Sequence, residues 1–236
     1  MTPGTPGAGA AGSRSDPERG APVEPTASLD PTAPVEPTAP VEPTGAIDPL
    51  EAVAGVAAAC RRCRLCETRT TVVFGEGARR PRLLVIGEAP GADEDATGRP
   101  FVGAAGQLLT KMLAAIGLAR EDVYIANVVK CRPPGNRQPE PDEVAACRPY
   151  LDEQIRLLDP ELMLLLGAPA LKTVLRTDRG ITAMRGQVLR TPDGRPALPT
   201  FHPAYVLRNP EARRDVWADL QLAARTLGLT LPPRPA

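Results

Sequence analysis

Four short apolar runs punctuate the chain beyond residue 80: RLLVIG at 82–87, VYIANVV at 123–129, LMLLLG at 162–167 and ALPTF at 197–201. Each is too short for a stable helix and mostly continuous rather than alternating, the pattern of a strand buried on both faces. Between them, apolar residues return every three or four positions over about 105–117 (AGQLLTKMLAAIG), 141–158, 168–176 and 211–228 (EARRDVWADLQLAARTLG), which predicts helices. One more helix is predicted from Asp48, a capping residue. Pro49 follows at the first helical position, and Leu50, Val53, Val56 and Ala57 repeat at helical spacing up to Cys60. Strand and helix alternate, so the expected fold class is α/β: a parallel sheet covered on both faces, with its ligand beyond the carboxyl ends of the strands.

The first 47 residues break this pattern. The hexapeptide APVEPT occurs three times, at 21–26, 33–38 and 39–44, and eleven of the 29 prolines fall within the first 49 residues. Proline at this density fixes φ and removes amide donors, and there are no bulky apolar groups to offset the entropy of ordering. Residues 1–47 are therefore expected to be a disordered, partly polyproline-like spacer whose partner is unknown, and 48–230 the folded domain. Charge divides at the same place. Residues 1–50 carry two basic and seven acidic groups, net −5; the rest carries 26 and 21, net +5, so the zero net charge of the whole hides a mildly cationic domain. Arginine accounts for 25 of the 28 basic residues, which suits phosphate recognition but also follows from a GC-rich genome. The longest apolar stretch, 162–166, is far below the ~18 residues of a membrane span, and no secretory signal core is apparent. A cytoplasmic protein without membrane contact is expected.

The residues that follow the four strands carry the candidate chemistry. GEAPG (87–91) follows the first, Asn127 lies near the end of the second, Gly167 follows the third and His202 the fourth. Glu88, Asn127 and His202 can thus meet in one crevice. A strand-end glutamate alone is usually a solvated residue and a lone histidine usually structural, but three runs ending in such groups raise the functional reading. Phe101, in GRPFVGAAGQLL (98–109), precedes a helix start marked by Gly103 and Gly106; it suits either a lid over the core or a platform for a planar base. No lysine is set up as a Schiff-base nucleophile, and no Gly-x-Ser-x-Gly turn pairs with His202.

Five cysteines, at 60, 63, 66, 131 and 147, form a C-x-x-C-x-x-C unit and two later thiols. Separated thiol clusters in a chain of this type point to a metal site rather than a disulfide framework. Four thiolates hold zinc or an iron–sulfur cluster equally well, and five cysteines leave one spare: either Cys60 with Cys63 or Cys63 with Cys66 supplies the first pair.

The motifs CRRC (60–63), VVFGEG (72–77), GEAPGADEDATGRPFVGAAGQLL (87–109), NVVKCRPPGNRQP (127–139) and FHPAYVLRNP (201–210), with Cys147, resemble the family 4, iron–sulfur, uracil-DNA glycosylases. The resemblance covers about 50–225. It implies a three-layer αβα sandwich around a four-stranded parallel sheet, a [4Fe–4S] cluster and hydrolytic removal of uracil from single- or double-stranded DNA in base excision repair. It implies cluster ligands at Cys60, Cys63, Cys131 and Cys147. Phe101 would stack on the extruded uracil, Asn127 would read its amide edge, and His202 would donate toward uracil O2. Gly87, Ala89, Gly91 and Glu94 would line the base site. Tyr205, Leu207 and Arg208 would enter the duplex and grip phosphates.

The better-known branch of that superfamily carries an aspartate where this chain has Ala89. Orienting the attacking water is therefore assigned to Glu88, with Glu94 and Asp95 as the other nearby carboxylates; excluding the thymine methyl is the other role open to Glu88. A monomer that joins the nucleoid while acting is expected. The alternatives are a covalently trapping uracil-DNA binding protein, against which the absence of a second histidine argues, a non-catalytic reader of uracil-containing or single-stranded DNA, and a zinc-bearing nucleotide-binding protein.

Overall fold

Leu83–Gly87, Tyr124–Asn127, Leu162–Leu166 and Pro196–Thr200 pair in parallel at the centre of the sheet in the computed structural model, which describes residues 48–233. In chain order the strands are β1 (Glu76–Gly77), β2 (Leu83–Gly87), β3 (Tyr124–Asn127), β4 (Leu162–Leu166), β5 (Leu189–Arg190) and β6 (Pro196–Thr200), and the sheet order is β1-β3-β2-β4-β6-β5. The four parallel strands agree with the reading of the sequence. The two antiparallel edges, β1 on β3 and β5 on β6, are two residues each and too short to leave a hydrophobic pattern. The expected tail at 1–47 lies outside the described residues.

The helices are α1 (Pro49–Ala58), α2 (Ala92–Thr97), α3 (Ala104–Ala114), α4 (Pro141–Leu158), α5 (Gly167–Leu175), α6 (Ile181–Met184), α7 (Pro203–Arg208) and α8 (Arg213–Thr226). Successive strand residues face opposite layers. Leu84 and Ile86 join Leu50, Leu151 and Val174 on the side of α1, α4 and α5, while Leu83 and Val85 join Leu109, Leu113 and Leu220 on the side of α3 and α8. Both faces are buried, which is why the strands read as continuous apolar runs. No helix among the described residues is long and apolar enough to cross a membrane.

α1 begins as expected, with Asp48 Oδ1 accepting from the Leu50 amide at 2.8 Å. α2 and α7 were not foreseen, and the segment 203–208 that carries Tyr205, Leu207 and Arg208 is helical. Each has six residues, under two turns, so neither has room for a periodic apolar face. Local chemistry starts them instead: Glu94 accepts from the Gly91 amide ahead of α2, and Pro203 opens α7 behind His202.

The strand register positions the site. Gly87 pairs with Asn127, and β2 lies between β3 and β4, the point at which successive crossovers leave in opposite directions. A crevice opens beyond the carboxyl ends at such a point. The ladder continues past β2 and β3 through Val128 N to Gly87 O at 3.0 Å and Val129 N to Glu88 O at 3.2 Å, which holds the post-strand residues firmly.

Candidate active site

The crevice is a cleft with about 470 Å³ open to water, and its lining includes Glu88, Ala89, Gly91, Glu94, Phe101, Asn127, His202, Tyr205 and Arg208. Gly87 lies beneath it: a Cβ there would stand 2.4 Å from Asn127 Oδ1 and 2.5 Å from Phe101 Cζ. Only glycine lets the amide and the phenyl ring approach the strand end together. Asn127 is 1% exposed, and its Oδ1 is the one buried side-chain polar atom among the described residues without a hydrogen-bond partner. A dry, unpaired carbonyl costs about 1–3 kcal/mol, so this atom is set up to receive a donor from a ligand.

His202 ends the run that follows β6. Its Nδ1 accepts from the Ala204 amide at 3.1 Å, which leaves the ring proton on Nε2. Burial, with a smaller push from the Arg208 guanidinium and against the pull of Glu94, takes its pKa from 6.5 down to about 4. The ring is therefore neutral at physiological pH and offers one N–H. Its centroid lies 5.6 Å from that of the Phe101 ring, at a tilt of 32°.

Phe101 is almost buried and adopts φ 53°, a left-handed backbone conformation that costs a bulky residue about 1–3 kcal/mol. Gly106 makes the turn possible, because a Cβ there would lie 1.8 Å from the Phe101 carbonyl oxygen. Glu94 contributes on the other side: its Oε1 accepts from the amides of Val102 (2.9 Å) and Gly103 (3.0 Å), and Oε2 from Gly91 (3.0 Å). Both oxygens are thus engaged by backbone, which removes Glu94 as a water-orienting carboxylate while keeping it in the cleft wall. Asp95, the other reserve, is buried away from the cleft and accepts from the amides of Thr70 and Thr71. Glu88 remains. It lines the cleft, makes no side-chain hydrogen bond among the described residues, and burial raises its pKa above the ordinary glutamate range.

Along α7, Tyr205 and Arg208 line the cleft and Leu207 does not; Tyr205 and Leu207 are 40% and 44% exposed. Tyr205 also packs on Phe201, with ring centroids 5.0 Å apart. The reading of individual residues did not assign roles to the opposite wall, Pro133, Asn136, Arg137 and Gln138. Their signal lay in the CRPPGNRQP motif itself. Arg137 is anchored there by the Glu143 carboxylate at 2.6 Å, and the two arginines on Glu143, Arg137 and Arg64, pull its pKa down to about 2 against the effect of burial.

A second cavity opens behind α4. All five cysteines line it, with Arg69, Lys130 and Tyr150, and only about 10 Å³ of it is open to water. Among the described residues no group of three or more His, Cys, Asp or Glu side chains is drawn close enough to hold a single metal ion. Donors already aim at two sulfurs: Arg69 Nη1 reaches Cys131 Sγ at 3.1 Å, and the Lys130 amide reaches Cys147 Sγ at 3.3 Å. Burial pushes the Cys147 thiol up to about 11 and raises Cys131 and Cys63 as well, so these thiols hold their protons until a metal displaces them. Four thiolates from this set fit either a zinc ion or an iron–sulfur cluster.

The two sites share a segment. Lys130 is 2% exposed, and its Nζ donates to the Asn127 carbonyl at 2.8 Å and to Gln154 Oε1. Desolvation lowers its pKa to about 8.

Comparison with known proteins gives matches over most of the chain. The family model of the uracil DNA glycosylase superfamily matches residues 74–221. A type-4 uracil-DNA glycosylase of Thermotoga maritima is 48% identical over 176 residues, covering 73% of this chain and 92% of the relative. Proteins of the same name from Sulfurisphaera tokodaii and Archaeoglobus fulgidus are 43% and 41% identical, over 76% and 74% of this chain and 85% and 91% of theirs.

Proposed function

Because the chain belongs to the uracil DNA glycosylase superfamily, and within it to the type-4 uracil-DNA glycosylases, we propose that it cleaves the N-glycosidic bond of deoxyuridine in DNA, releasing uracil and leaving an abasic site. The observation that carries the reading is the unpaired, buried Asn127 Oδ1 beside the Phe101 ring. The imide N3–H of uracil is the donor that carbonyl lacks, and a pyrimidine lying on Phe101 brings it within reach.

A deoxyuridine stacked in a helix exposes no reachable C1′–N1 bond, so the nucleotide must leave the stack at a cost of a few kcal/mol. Leu207 and Tyr205 on the exposed rim of α7 fill or brace the gap, and Arg208 binds phosphate; stacking on Phe101 offsets about 1–3 kcal/mol. The C1′–N1 bond breaks with its electron pair passing to the base. The neutral His202 Nε2–H donates to uracil O2 as charge collects there, and one such donor in a dry site is worth about 3–4 kcal/mol in the transition state. Glu88, freed of protein partners and made more basic by burial, orients water toward C1′ and takes its proton. The water oxygen completes the sugar, and the uracil anion is reprotonated from solvent.

The cysteine cavity suits a [4Fe–4S] cluster held by Cys60, Cys63, Cys131 and Cys147, with Cys66 spare. When bound, the cluster supplies a covalent tie between the 60–63 turn, the end of the β3 segment and α4. The partner in this reading is uracil-containing DNA.

The test is incubation of the purified protein with uracil-bearing and thymine-bearing oligonucleotides, followed by alkali to cut at abasic sites. Cleavage of the uracil strand alone is expected; no cleavage of either strand refutes the glycosylase reading. A brown protein with stoichiometric iron is expected, and a colourless zinc protein refutes the cluster.

A further inference from the structure

The VVFGEG motif at 72–77 supplies no residue to the cleft, yet Glu76 connects to it through one arginine. Arg120 Nη2 donates to the Pro100 carbonyl at 2.7 Å and Nη1 to the Phe101 carbonyl at 2.9 Å. The same Nη2 pairs with Glu76 Oε1 at 3.0 Å, while Glu76 Oε2 accepts from Arg99 Nε at 2.8 Å. Glu76 itself is fixed by β1, where it pairs with Ile125 of β3. Gly77 lets that strand close in, since a Cβ there would lie 1.9 Å from the Val123 carbonyl.

We propose that the Glu76–Arg120 pair is a positioning device that holds Phe101 as the platform for the flipped base. The proposal rests on the reading of Phe101 as that platform. The physical case is the left-handed backbone at Phe101, which persists only if its neighbours over-determine it. Glu94 holds the two amides after the ring and Arg120 the two carbonyls at and before it, so the strained residue is gripped from both sides. A planar guanidinium reaches two successive carbonyls and a carboxylate together. A lysine ammonium in the same place is a single point and cannot span them. Arg120 touches no reacting atom; it acts through Phe101.

The experiment uses the full chain and the variants Arg120→Gln, Arg120→Lys and Phe101→Ala. Stacking of one base on an aromatic side chain is worth about 5- to 150-fold, and misplacing the ring forfeits part of it, so kcat/KM for a uracil oligonucleotide is expected to fall by about 10-fold in Arg120→Gln and nearly as far in Arg120→Lys. In the Phe101→Ala background, Arg120→Gln is expected to change kcat/KM by less than about 2-fold, because the group it positions is gone. A purely structural role for Arg120 lowers kcat/KM by the same factor in both backgrounds, and that result overturns the proposal.

A second readout needs no catalysis. The chain has three phenylalanines, so uniform fluorophenylalanine labelling yields three ¹⁹F resonances, with that of Phe101 identified by its loss in Phe101→Ala. Arg120→Gln is expected to shift or broaden the Phe101 resonance and leave those of Phe74 and Phe201 in place. An unmoved Phe101 resonance overturns the proposal. A wild-type protein that releases no uracil refutes the glycosylase reading instead, and the fluorine spectrum still decides whether Arg120 holds the ring.

Discussion

Protonation of His202 offers the sharpest test of the site. Its pKa of about 4, against 6.5 for an ordinary imidazole, corresponds to a penalty of about 3 kcal/mol for charging the ring in place. At pH 6.5 only about three rings in a thousand carry charge, where an exposed histidine would be half charged. The cause is burial first and Arg208 second, and the Nδ1 acceptor bond to Ala204 is lost if the ring is protonated. Folding is linked to this shift with a definite sign. A depressed folded pKa adds stability that is complete above about pH 6.5 and is lost as pH falls toward 4.

The chain contains a single histidine, so ¹³C,¹⁵N-histidine labelling of tag-free protein gives one imidazole signal with no assignment problem. The expected titration is flat from pH 8 to pH 5.5, with the Nε2–H tautomer throughout and a midpoint near 4. Single-turnover uracil release should lack an inflection between pH 6 and 7. Replacement by alanine should lower kcat by about 10²–10³ with little change in KM, as removal of one transition-state donor does. A midpoint between 6 and 7, or the Nδ1–H tautomer, would refute the neutral-donor account.

Asn127→Ala should lower kcat/KM for uracil DNA by about 10- to 100-fold while leaving iron content and visible absorbance unchanged; excision at the parental rate would show that another group reads the base. Cys131→Ala should lose its iron and most of its solubility, whereas Cys66→Ala should keep about four irons per chain by metal analysis; the opposite order would reassign the ligands. Glu88→Gln should slow uracil release yet raise Tm at neutral pH. Its raised folded pKa means that ionisation above the ordinary glutamate range costs stability, a loss the amide cannot suffer. A Tm unchanged between pH 5 and 8 relative to wild type would count against a desolvated carboxylate there.

The central strands and the longer helices were legible because their patterns are local: 83–87 is apolar throughout, and α4 runs over 141–158 as its periodicity predicts. α2 and α7 were not, because six residues carry no period and each is started only by a local cap, Glu94 on the Gly91 amide and His202 on the Ala204 amide. The chemistry divides in the same way. That Glu88, Asn127 and His202 would share a crevice follows from their places after successive strands. That Glu94 spends both oxygens on backbone amides does not, since the Val102 and Gly103 amides meet it only across a folded loop. Arg120 is the extreme case: its partners Glu76, Pro100 and Phe101 lie 19 to 44 positions away in the chain. The tautomer of His202 was equally invisible, being set by the first turn of α7.

The two-residue flanks of the sheet have a consequence for how this molecule meets others. β1 and β5 cap a ladder of longer parallel strands, so neither margin presents more than a stub of free backbone to a passing chain. Edge strands this short disfavour extension of the sheet by a foreign or sibling strand and so work against fibrous growth in a concentrated solution. In the proposed reading, contacts with nucleic acid fall instead to side chains at the strand ends, where specificity is written in functional groups rather than in main-chain pairing.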